Sequence, residues 1–145
     1  MNRRQYLRVA LSVLWALRQA CGGRKEEWVV IVHLSNRLNV LSRSKVSYLF
    51  LRKVSRWPWG AEAAPADLAE GEPIRREFVE QVLGMSAERL AEYWIDQRAT
   101  RGVSPPVEVR DAAAAKRWVA SKPGGIAYIP ASALDSTVRA MRVDA

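Results

Sequence analysis

His33, Cys21 and a group of cations interleaved with tryptophans are the side chains from which this chain could build chemistry, and their spacing limits what is available. His33 is the only histidine and lies inside the apolar run Trp28 to Leu34, where a hydrogen-bonded structural role is the plainer reading than a catalytic one. Without it no Ser-His-Asp or Cys-His set can be assembled. Cys21 is the only cysteine, which excludes an internal disulfide and any multi-cysteine metal site. The sequence carries no metal-ligand spacing, no Walker loop and no dinucleotide fingerprint. We therefore expect no enzyme activity, no cofactor and no metal. Two arrangements point to binding instead. Lys122, Ser132 and the amides of Gly124 and Gly125 offer an anion site at strand edges, against the plainer reading of a helix stop followed by a turn. Arg52, Lys53 and Arg56 beside Trp57 and Trp59 form a basic aromatic patch suited to a nucleic acid, a membrane surface or an acidic partner. A solvated rim over packed tryptophans is its plainer reading.

The elements that must position these residues are organised around Ser42 to Gly60. Ser42 is a helix N-cap, Leu41 can close on Val46 as a hydrophobic staple, and Val46, Leu49 and Phe50 recur on one face. Arg43, Lys45 and Ser47 point away from it. Pro58 and Gly60 end the helix near Arg52 or Lys53 and make a turn carrying two large rings. Upstream, the β-branched run from Trp28 predicts a strand buried on both faces, with a polar connection over Ser35 to Asn39. Downstream, Ala61 to Pro73 reads as a loop with a short strand near Ala63 to Leu68. Arg75 to Leu83 is a helix stopped by Gly84. Ser86 caps another whose apolar face is Leu90, Tyr93 and Trp94 and which ends near Gly102. A short strand follows at Val107 to Val109, then a helix capped by Asp111 that carries Trp118 and Val119. Strands at Ile126 to Ile129 and Thr137 to Val143 complete an alternation of helices and short apolar strands, the pattern of an α/β layer fold.

At 145 residues the chain has room for one domain with a real core. A net charge of +8 raises the question of nucleic acid, yet Arg3, Arg4, Arg8 and Arg18 stand in an acid-free N-terminus. Without the first 20 residues, 19 basic side chains face 15 acidic ones. That N-terminus reads as an export signal: a basic start is followed by an apolar run over Val9 to Leu17, shorter than the roughly 20 residues that span a bilayer. Ala20-Cys21-Gly22-Gly23 is similar to the cleavage region of bacterial lipoproteins, making Cys21 a lipidation candidate. Arg18 and Gln19 depart from that pattern. The alternative is an amphipathic helix that stays on the protein.

Four segments in order carry a family resemblance: VVIVHLSN (Val29 to Asn36), the Leu41-Ser42 helix ending in Phe50-Leu51 with Trp57 and Gly60 beyond it, IRREFVEQVLG (Ile74 to Gly84) and SKPGGIAYI (Ser121 to Ile129). On these segments the chain resembles the phosphate-binding-protein-like group, and the resemblance covers roughly Trp28 to Val143. These are type 2 periplasmic solute-binding domains related to the receptor subunit of phosphate ABC transporters. The resemblance implies two lobes around a cleft, of which this chain supplies about one. It also implies a Ser-Gly-Thr-Arg turn at a helix start, where hydroxyls and amides hold an anion. Aligned on Arg75 and Phe78, this chain has Glu72, Pro73 and Ile74 in place of Ser, Gly and Thr. The family arginine four residues before that serine falls on Leu68, so Arg75 alone carries over.

The sequence reading is therefore a signal-like segment over residues 1–23 and a single α/β domain over 24–145, a small mixed sheet flanked by helices resembling one lobe of a type 2 periplasmic binding protein. The expected function is that of an exported, non-enzymatic solute-binding-protein-like domain with a degenerate phosphate loop, taking an oxyanion weakly. The alternative is an envelope protein-interaction module using Arg52 to Trp59. An intracellular nucleic-acid binder is a third reading. Membrane contact is expected only through the N-terminal segment, and no nucleic acid is expected as partner.

Overall fold

The computed structural model describes residues 26–145. The signal-like segment and Cys21 lie outside the described residues. From Trp28 the chain forms β1 (Trp28–Val32), β2 (Val40–Ser42), α1 (Arg43–Phe50), β3 (Ala64–Leu68), α2 (Pro73–Phe78), α3 (Ala87–Arg101), β4 (Val107–Val109), α4 (Ala112–Ser121), β5 (Gly125–Pro130) and β6 (Arg139–Asp144). One mixed sheet runs in the order β2-β6-β1-β5-β3-β4. β1 is antiparallel to both β5 and β6, whereas β2 with β6, β3 with β5 and β3 with β4 are parallel. This is the α/β class, a small mixed sheet flanked by helices.

β1 and β5 form the centre. Val30, Ile31, Val32 and all of Ile126 to Ile129 are buried, which requires cover on both faces and explains why these strands read as unbroken apolar runs. On one face Tyr128 of β5 meets Phe78 of α2 in a parallel stack with ring centroids 3.8 Å apart, and Phe50 of α1 closes edge-on at 4.9 Å from Phe78. α4 packs along β5 and β3 through Ala115 and Val119.

The local signals act as their chemistry dictates. The hydroxyls of Ser42 and Ser86 and the carboxylate of Asp111 accept from the amides of Lys45, Arg89 and Ala114, opening α1, α3 and α4. Leu41 and Val46 are both buried, as a staple requires. α2 runs on into a π turn over Val79–Leu83 that ends at Gly84 with φ 69°, a left-handed stop that suits glycine.

Several boundaries differ from the sequence reading. α1 ends at Phe50, because Arg52 takes φ 59° and turns the chain before Lys53. Ser47, expected to point away, is buried. α2 begins at Pro73, whose missing amide is harmless at a first helical position. β2 is an unforeseen strand, three residues at the sheet edge beside β6. The connection before it is pinned by Arg139, which donates to the carbonyl of Leu38 at 2.7 Å.

Candidate functional site

The end of β3 and the start of α2 bring together residues far apart in sequence. Asp67 lies on β3, Tyr128 on β5 and Arg75 on α2. One oxygen of Asp67 accepts the Tyr128 hydroxyl, and the other lies 3.4 Å from Arg75 Nη2. The Asp67 and Arg75 side chains are 15% and 21% exposed, so the pair is screened by little water. Burial pushes the Asp67 carboxyl above the usual carboxylate range, opposed by the Tyr128 hydrogen bond and by Arg75 and reinforced by Glu108. Burial and the neighbouring Asp67 likewise raise Tyr128 well above a normal phenol. The hydroxyl thus stays protonated and keeps donating. This network holds Arg75 from behind by a carboxylate that removal of the guanidinium would leave uncompensated.

In front of Arg75 the connection from β3 to α2 supplies few donors. The amides of Glu72 and Arg75 already bond the carbonyls of Ala69 and Glu72, at 3.0 and 3.1 Å. Pro73 has no amide hydrogen, and Glu72 sits at the N-cap without a side-chain capping bond. A groove of about 460 Å³ opens here, lined by Glu70, Glu72, Glu80 and Glu88 against Arg75 and Arg76. Arg76 pairs with Glu80 at 3.1 Å. Both guanidiniums are therefore matched by carboxylates, and the remaining glutamates give the groove a negative field, which disfavours a dianion.

Gly124, Gly125 and Ser132 do not converge. Gly125 opens β5 and Ser132 follows its end, so a whole strand separates them. The Ser132 hydroxyl donates to Glu26, and the Gly125 amide bonds the Lys122 carbonyl at 2.9 Å. Gly124 is small for a packing reason: a Cβ there would stand 1.8 Å from the Glu62 carbonyl oxygen. Its own carbonyl accepts from Trp57 Nε1 at 2.9 Å.

The aromatic patch divides into core and rim. Trp57 is buried at 3% exposure, so its ring is closed to a partner, and Trp59 stacks on it at 5.3 Å. Arg56 donates to the Gly60 carbonyl at 2.9 Å, and Lys53 lies over Tyr48. Arg52 is half-buried with no side-chain hydrogen bond or ion pair among the described residues. His33 sits just beyond β1, its Nδ1 2.7 Å from the Ser35 hydroxyl.

Asp67 and Tyr128 escaped the sequence reading. A tyrosine in an otherwise aliphatic buried strand must place its hydroxyl somewhere, and Asp67 is the one acid within β3. Those two facts are the available signal, although the register that joins them is not.

No protein-family model matches the chain, and no curated protein matches it by sequence. Solved structures do match in fold. An ABC-type phosphate transport receptor from Vibrio cholerae superposes with a TM-score of 0.64 at 16% identity over 81% of this chain and 46% of its own. A candidate phosphate ABC transporter substrate-binding protein with bound phosphate from Clostridium perfringens gives 0.66 at 20% identity, over 81% and 45%. PstS from Borrelia burgdorferi gives 0.63 at 8% identity, over 83% and 48%. The chain spans less than half the length of each of these three, and its fold is that of a lobe of such binding proteins.

Proposed function

We propose that this chain is an exported, non-enzymatic domain of the solute-binding-protein type whose phosphate loop is closed from within, so that it takes oxyanions only weakly. The carrying observation is the pairing of Arg75, the one loop residue that matches the family pattern, with Asp67 at 3.4 Å beneath a groove lined by four glutamates. An anion arriving there must displace a buried carboxylate and meet further negative charge, while the hydroxyl and amide donors of the family loop are replaced by Glu72, Pro73 and Ile74. The fold likeness to phosphate receptors supports the class, and the basic and apolar pattern of residues 1–23 supports export. We expect calorimetric titration to show phosphate affinity no tighter than about 1 mM at physiological salt, equivalent to about 4 kcal/mol. Micromolar binding would restore the receptor reading. For export, mass spectrometry of the chain expressed in a bacterial host should find a processed N-terminus near Cys21. Recovery of an intact Met1 or Asn2 start from the cytoplasm would remove that part of the proposal.

A further inference from the structure

At the opposite end of β3 from the acidic groove lies a second groove of about 560 Å³, with Pro65 and Val107 on its strand side and Trp118 of α4 as a flat wall. The Trp118 ring is fixed in orientation, since its Nε1 donates to the Ala64 carbonyl at 3.0 Å. Lys122 Nζ stands 4.4 Å from the centre of that ring, and Arg52 enters from the turn after α1. Neither cation has an ion pair among the described residues, and the single acid in the lining, Glu62, has none either. Arg52 holds its place through a left-handed backbone with φ 59°, which a non-glycine residue adopts at a cost. We propose that this groove binds an organic monoanion, a carboxylate on a flat apolar body, with the carboxylate between Arg52 and Lys122 and the body against Trp118 and Val107. The lining carries one net positive charge, which matches a monoanion better than a dianion. The aromatic wall and Val107, which is 41% exposed, supply apolar area that inorganic ions cannot use. This site is independent of the phosphate-loop reading, since it shares no residue with the groove in front of Arg75.

Benzoate is a suitable probe. We expect the full 145-residue chain, titrated with benzoate, to show saturable movement of the Trp118 Nε1–H resonance, assigned by its loss in Trp118→Phe. The dissociation constant should be about 1 mM or tighter. Arg52→Gly, which suits the left-handed backbone, and Lys122→Gln should each weaken binding about tenfold with the melting temperature kept close to that of the native chain. Benzyl alcohol and inorganic phosphate should not reproduce the shift. Absence of saturation at tens of millimolar benzoate, an equal response to benzyl alcohol or phosphate, or binding indifferent to both variants would overturn the assignment.

Discussion

Asp67 is a carboxylate in an expensive position, partly offset by the Tyr128 hydroxyl and the Arg75 guanidinium. Its carboxyl titrates above the ordinary value of 3.8 in the folded chain, so the native state binds the proton more tightly than the unfolded one and is favoured by protonation. That stabilisation is full below 3.8 and is lost as pH rises through the folded value. Asparagine keeps an acceptor for Tyr128 and never ionises. Urea unfolding across this range should therefore show Asp67→Asn gaining stability relative to the native chain as pH rises. Asp135, held down to about 2 by Lys116 and Thr137, acts in the opposite sense on acidification, but it is common to both proteins and cancels from the difference. A difference independent of pH would show that Asp67 does not titrate as the geometry requires. None of this coupling was legible in the sequence, because Asp67 and Tyr128 are 61 positions apart and only the β3–β5 register brings them together.

Three of the helices were legible because each announces itself locally. Ser42, Ser86 and Asp111 cap α1, α3 and α4, and each cap is a matter of a few neighbouring residues. Strands β1 and β5 were legible as apolar runs with no polar face. β2 was not, since three residues at an edge carry no periodicity and owe their pairing to β6, a hundred positions on. α1 ends two or three residues before the expected Arg52 or Lys53, because Arg52 takes a conformation normally reserved for glycine or asparagine. α1 is nonetheless central: Phe50 is 2% exposed and packs against Phe78 and Tyr128, the ring that in turn holds Asp67. Phe50→Ala should cost about 3 to 5 kcal/mol in urea unfolding. A loss below about 1 kcal/mol would mean that this face does not bear on the core.

Taken whole, the molecule presents unlike charge at the two ends of β3. At the carboxyl end the groove before α2 is lined by Glu70, Glu72, Glu80 and Glu88, and at the amino end Arg52 and Lys122 flank Trp118. The fold is that of a lobe of phosphate-type binding proteins, and the family pattern in the sequence pointed to it, whereas the strand order came only from long-range pairing. In the proposed function, phosphate is disfavoured by the pairing of Arg75 with Asp67 beside an acidic groove. The direct test is calorimetric titration of the native chain with inorganic phosphate at physiological salt, repeated with Arg75→Ala. Binding should be no tighter than about 1 mM, removed by added salt and indifferent to Arg75. Micromolar binding that disappears in Arg75→Ala would contradict the proposed function.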